Sequence, residues 1–212
     1  MERTLLRDTA YEAIRDAIVR GDLPPGAAMS NVAVADQLGL SRAPVRDALA
    51  RLADEGLVET KPQSYTRVTP LVPKEVRDAA AVVGVVHELA TRTAVPLLTA
   101  GHLDAMREAN RRFETATRGG NVDAAMDFDD ELHGVIVGVC GNRAVAATIE
   151  RYTPLIRRLE RRQFSPARAR RSVQRHDELI AACAAGDVDQ AIQVTLRIWQ
   201  TLEDLADDLS AR

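Results

Sequence analysis

The chain has 212 residues, 46% of them hydrophobic and 28% charged, with a net charge of −3. That is ordinary globular composition, long enough for one large domain or two modest ones, and it excludes a disordered chain. Aromatic residues at 3% are too few for a platform that stacks single-stranded bases, and the near-balanced charge advertises no polyanion partner over the whole surface.

A first helix is expected from about Asp8 to Arg20, with Tyr11, Ile14 and Ile18 inward and Gly21, Pro24, Pro25 and Gly26 ending it. Ser30 can cap a second helix, Val32 to Leu38, whose inner residues are Val34, Ala35 and Leu38 and which Gly39 closes. A third follows at once. Ser41 is a good N-cap, and Pro44 falls in the first turn, where a missing N–H is harmless. Val45, Ala48, Leu49 and Leu52 then take the spacing of a buried stripe, while Ala43, Arg46, Asp47 and Ala50 share the opposite face with Arg42 at its edge. Two small residues beside two arginines make a narrow, positive surface that can approach a groove, where arginine holds a phosphate or forks onto guanine. A merely solvated face is the other reading of this helix. Its neighbourhood favours DNA: two helices joined by a tight glycine turn are the helix-turn-helix arrangement. Leu57 to Thr60 and Tyr65 to Thr69, flanking a break at Lys61-Pro62-Gln63-Ser64, predict a β-hairpin, that is, a wing. Through Pro70 nine Lys+Arg stand against ten Asp+Glu. Specific DNA binding must therefore rest on a local patch, chiefly Arg42, Arg46, Arg51, Lys61 and Arg67.

Gly21-Asp22-Leu23-Pro24-Pro25-Gly26, then Leu38-Gly39-Leu40-Ser41-Arg42-Ala43-Pro44-Val45-Arg46-Asp47-Ala48-Leu49, then Arg51-Leu52 and Glu55-Gly56-Leu57-Val58 resemble the winged-helix domain of GntR-family transcription regulators. The resemblance is ordered and gap-free over about the first third of the chain. It implies operator contacts by Arg42 and Arg46, with Ser41, Ala43, Lys61 and Arg67 completing the DNA-binding set. Ala43 stands where the family usually has Thr, which removes a hydroxyl contact. Tyr65 stands where the wing tip usually has Gly.

Pro70 and Pro73 bracket a linker at 71–73, after which strand signals vanish. The expected organisation is a winged helix-turn-helix domain at 1–70 and an all-helical domain at 74–212. Helices are expected near Lys74–Leu98, Leu103–Arg118, Val122–Val139, Arg143–Phe164, Ala167–Ala185 and Val188–Leu209, with Asn121 and Asp187 as caps. Six helices with short connections predict an antiparallel bundle, so the fold class is mostly α. Asp129-Asp130-Glu131-Leu132-His133, Gly141-Asn142, Arg175-His176 through Ile180, and Ala185-Gly186-Asp187 through Ala191 are similar to the FCD ligand-binding domain of FadR-type GntR regulators, in its shorter, VanR-like form. The resemblance implies a homodimeric repressor that binds a two-fold operator and releases it when a small molecule, often an organic acid, occupies the bundle.

Asp129 and His133 are four apart and share a helix face, a geometry that suits one metal ion. An ordinary hydrogen bond is the plainer reading of such a pair. Many FCD domains bind a divalent metal through an Asp, the His four later and two further histidines. The resemblance carries over to Asp129, His133 and His176 as ligands of a zinc or nickel ion, and Ile198 stands where the fourth belongs. Gly84 and His87 replace an Arg and a Glu on the first bundle helix, which makes His87 either a substitute ligand in the effector pocket with Asp129, His133 and His176, or a core histidine. His102 is expected exposed at a helix start. The arginines from Arg157 to Arg175 read as a solvated helix face able to meet the acidic tail Glu203, Asp204, Asp207 and Asp208.

A ligand-responsive regulator, not an enzyme, is the expected function. A metal-dependent hydrolase on Asp129, His133 and His176 is the alternative, and a metal-free interaction bundle filled with side chains is the third. Cys140 and Cys183 are expected as buried free thiols. The N-terminus lacks the apolar core of a signal peptide and no run approaches a membrane span, so a cytoplasmic protein without a membrane partner is expected.

Overall fold

The computed structural model of the protein describes residues 2–61 and 64–210, with side chains over 5–61 and 64–206. Pro62 and Gln63 of the expected turn, and the carboxylates of Asp207 and Asp208 in the expected acidic tail, lie outside the described residues. The chain divides into two compact units, Met1–Val72 and Pro73–Arg212.

In the first unit, α1 (Glu2–Arg20), α2 (Asn31–Leu38) and α3 (Arg42–Asp54) precede a hairpin of β1 (Val58–Lys61) and β2 (Tyr65–Val68). Tyr11, Ile14 and Ile18 of α1 meet Val45, Leu49 and Leu52 of α3 in one core, which Leu57, Val58 and Val68 close from the hairpin. Ser30 caps α2 by accepting from the Val32 amide, and Gly39 ends it at φ 64°, where its N–H reaches the carbonyls of Ala35 and Asp36. Ser41 occupies the cap of α3 but its side chain makes no capping hydrogen bond. Pro44 supplies the preset φ at the start of the helix. The hairpin is antiparallel, with Val58 opposite Val68 and Lys61 opposite Tyr65. A third edge, absent from the sequence reading, forms where the Met29 amide donates to the Thr66 carbonyl at 2.8 Å and Val68 donates to Ala27 at 3.0 Å.

The second unit is helical: α4 (Pro73–Ala94), a 3-10 turn (Val95–Leu97), α5 (Ala100–Arg118), α6 (Val122–Cys140), α7 (Arg143–Arg162), α8 (Pro166–Ala185) and α9 (Val188–Ser210). The first of these ends four residues earlier than the expected Leu98, because Pro96 has no N–H to continue the ladder and the chain tightens into the 3-10 turn. Thr99 then caps α5 in a capping box whose return bond runs from the Thr99 amide to His102 Nδ1 at 3.1 Å. His102, expected merely exposed, therefore ties down a helix start. Met106, Leu132, Ile136, Leu179 and Val194, from four helices, fill the centre of the core. Among the described residues no helix is long and apolar enough to cross a membrane. Cys140 and Cys183 are free; Cys140 is only half-buried, against expectation, and burial pushes the Cys183 thiol up to about 11.

Candidate functional site

In the first unit the apolar stripe turns one side of α3 inward and leaves Arg42 and Arg46 outside. Arg46 is 70% exposed and its nearest acid, Asp47, is 3.7 Å away, a loose pair. Ala43 beside it is half-buried and Lys61 is exposed at the end of β1. Two members of the expected basic patch are otherwise engaged. Arg51 bonds Glu55 at 3.0 Å and lies 3.7 Å above the Tyr11 ring, whose hydroxyl donates to the same Glu55 at 2.7 Å. Arg67 is ion-paired with Glu59 and stacked 4.4 Å over Tyr65. Arg51 is thus part of the α1–α3 packing, and Arg67 and Tyr65 form one rigid wing surface.

The second unit encloses a cavity of about 230 Å³. Its inner wall is polar, with Asp129 and His133 one turn apart on α6, His176 on α8, and His87 on α4. Its body is apolar, with Phe113, Phe164, Ile198, Trp199 and Leu202, and Arg171 and Arg175 lie on the α8 side. A bundle sealed by its own side chains does not fit this cavity.

One ligand atom from each of Asp129, His133 and His176 lies within 4.8 Å of the others, so the three side chains converge on one point. Two imidazoles and a carboxylate are a donor set for zinc or nickel. Burial pushes the His133 imidazole down to about 4, which leaves its lone pair available at neutral pH. Ile198 contributes an apolar wall where a fourth ligand would stand. The residues present fit a three-ligand site with an open position. His87 falls outside that group. Its ring stacks on Trp199 at 4.7 Å and meets His133 edge-on at 5.8 Å, and burial, with His133 adding to it, pushes it down to about 3. It is a buried ring of the cavity wall. Gly84, one turn earlier, makes room for Trp199: a Cβ there would lie 3.1 Å from the Trp199 Cβ.

Arg157 is the residue that the sequence reading missed. Expected on a solvated face, it is only 12% exposed and holds Asp129 Oδ2 at 2.6 Å, Glu160 Oε2 at 2.7 Å and the Asp130 carboxylate. The cause is its partners: Asp129 and Asp130 of α6 and Glu160 of α7 close around its guanidinium. The Phe113-to-His176 ring contact and the Thr153 and Glu160 side chains sit on the same wall. Burial alone would raise the Asp129 carboxyl, and the Arg157 guanidinium overrides it and holds Asp129 well below the usual range. Burial dominates at Glu160, which rises to about 7 against the pull of Arg157. Arg157 thus leaves Asp129 Oδ1 as the oxygen still facing the histidines. Of its acid partners only Glu160, three residues on, gave a local signal in the sequence; Asp129 and Asp130 come from α6.

The family described as bacterial regulatory proteins, gntR family, matches residues 6–68, and the FCD domain matches residues 78–201. The chain is 31% identical over 197 residues to an uncharacterised HTH-type transcriptional regulator in an unstable DNA locus of Streptomyces ambofaciens, covering 89% of this chain and 79% of that protein. It is 23% identical to the HTH-type transcriptional repressor RspR of Escherichia coli, over 73% of this chain and 68% of that one. The solved structure of E. coli McbR/YncC superposes with a TM-score of 0.85 at 20% identity, covering 97% of this chain and 98% of its own, a likeness of fold.

Proposed function

The chain belongs to the FCD family of GntR-type transcription regulators, and from that premise we propose that it is a repressor that binds double-stranded operator DNA as a homodimer and is released by a small molecule in the helical cavity. Its relatives are transcription regulators and not enzymes, so the hydrolase alternative is withdrawn. The observation that carries the DNA reading is the exposed outer face of α3, where Arg46 stands 70% exposed beside Arg42 with no strong acid partner. Such a face costs nothing to desolvate except two guanidinium groups, and both gain from phosphate or guanine. Ser41, Ala43 and Lys61 border it. Arg67 joins them through the wing surface it shares with Tyr65. A regulator of this kind works in the cytoplasm.

The test uses a duplex selected from a random pool by the wild-type protein. Arg46→Ala should lower affinity for it at least about 10-fold at matched salt, the loss of one good base or phosphate contact. Equal affinity for both proteins would remove α3 from the DNA interface.

Self-association is supported by α4. Val82, Val85 and Leu89 recur at i, i+3 and i+7 on its outer face and are exposed, Val85 to 64%. Three such side chains in one stripe are what a second copy would cover. The effector reading is supported by the cavity, whose α8 wall offers Arg171 and Arg175, neither with a carboxylate partner among the described residues, for the acid group of an organic acid. Asp129, His133 and His176 would hold a zinc or nickel ion there, which supplies a Lewis-acidic point for a ligand oxygen when bound. His87 and Ile198 shape the space around it. Metal content of untagged protein by plasma mass spectrometry, before chelation and after zinc addition, tests this directly. About one ion per protomer is expected. None after zinc addition would end the metal reading while leaving the DNA reading intact.

A further inference from the structure

His176 has a neighbour that decides which of its nitrogens carries the proton. Asn110 on α5 is buried, and its Nδ2 donates to Asp177 Oδ1 at 2.7 Å and to the Val173 carbonyl at 3.3 Å. Both of those partners are acceptors only. Turning the amide over would set its oxygen against a carboxylate and a carbonyl, so its orientation is fixed by the two. Its Oδ1 therefore faces His176, 3.0 Å from Nδ1. An oxygen that can only accept requires a donor opposite it, and Nδ1 must carry the proton. In the neutral ring Nε2 is then bare.

That bare nitrogen lies 3.2 Å from Asp129 Oδ1, with no proton of its own to share. Two lone pairs facing one another in a buried site repel, and a cation between them, a proton or a metal ion, turns the contact into an attraction. The other oxygen, Asp129 Oδ2, is already held by Arg157, and the His133 ring stands edge-on to His176, 5.3 Å between centroids. We propose that Asn110, clamped by Asp177 and the Val173 carbonyl, is a positioning residue that fixes His176 with its proton on Nδ1, and so makes the His176 Nε2–Asp129 Oδ1 gap a seat for a divalent cation despite Ile198. The proposal rests on the metal reading of this site given above. It adds residues on α5 and α8 that no ligand pattern contains and explains how three ligands hold what a fourth would otherwise secure.

Two measurements on the full-length chain test it. Long-range proton–nitrogen correlation spectra of protein labelled at histidine, stripped of metal and read at pH 8, should show His176 with its proton on Nδ1. Zinc titrated calorimetrically into the same protein should bind, and Asn110→Leu should bind it about 10–100-fold more weakly, the usual loss for an outer hydrogen-bond partner. In that variant the His176 proton should move to Nε2, where Asp129 accepts it. Asp177→Leu leaves the Val173 carbonyl in place and sits on the surface, so it serves if Asn110→Leu does not fold, with a smaller loss of zinc affinity expected. A neutral wild-type ring protonated on Nε2 would overturn the proposal, as would zinc affinity unchanged in Asn110→Leu and Asp177→Leu. Wild-type protein that refuses zinc with Nδ1–H in place would also overturn the cation seat. None of these outcomes touches DNA binding, which Arg46→Ala tests separately.

Discussion

Burial holds the His87 ring at about 3 and His133 at about 4, far below an unfolded imidazole near 6.5. Above about pH 6.5 neither state is protonated and the fold loses nothing. As the pH falls from there the unfolded chain takes up protons that the folded one refuses, so stability declines through about 4 and on to about 3. The two rings together should therefore cost metal-free protein about 5–6 kcal/mol of unfolding free energy between pH 6.5 and 4, offset in part by Glu160, whose raised carboxyl takes up its proton first in the folded chain. Urea titrations at each pH should show His87→Phe with a shallower decline, because phenylalanine keeps a ring on Trp199 and has nothing to protonate. A variant with the same pH slope as wild type would mean that His87 is hydrated in the folded state. Single residues were the hardest scale to read in advance. Asp129 and His133 were legible from their i, i+4 spacing, and His176 from the resemblance that sets it beside them. Arg157 was not, because an arginine reads as surface until three carboxylates from two helices are packed around it.

Helices are punctuated by residues whose effect is local, and those boundaries were legible. Ser30, Asn121 and Asp187 cap α2, α6 and α9 through their side chains as expected. Ser41 does not, since the first turn of α3 is stabilised by Pro44 and by burial of its stripe. Pro96 was underweighted against the apolar run that surrounds it. The pairing of Ala27–Met29 with β2 was out of reach for periodicity, because a short edge has too few residues to alternate. Contacts between helices are a different matter. The packing of α4 on α9 depends on Gly84, where a Cβ would stand 3.1 Å from Trp199 Cβ and 3.4 Å from Cγ. Gly84→Leu should force α9 outward at a cost of about 1–3 kcal/mol. It should also shift the emission of Trp199, the chain's one tryptophan. Gly84→Ala asks only a few tenths of an ångström of the indole and gains helix propensity, about 1 kcal/mol, so it should be close to neutral. Unchanged melting and emission in Gly84→Leu would show that α4 and α9 do not meet as described.

At the scale of the molecule, two units with separate cores divide the work: one carries an exposed arginine face, the other a cavity with a convergent donor set. The change from mixed to wholly helical sequence at the prolines made that division legible. The exposed stripe of α4 was not, since Val82, Val85 and Leu89 look like core positions until the other face of the helix is seen to be buried. A homodimer through that stripe predicts that Val85→Glu with Leu89→Glu gives a folded monomer by light scattering after size exclusion. Persistence of the dimer would place the interface elsewhere. Dimerisation and operator reading meet in one experiment, a nuclease footprint of the wild-type protein on its selected duplex. Two protected half-sites related by a two-fold axis, centred about one helical turn or a multiple of it apart, are expected, with no protection by Arg46→Ala at the same concentration. A single unpaired half-site, or a footprint that survives Arg46→Ala, would contradict the account.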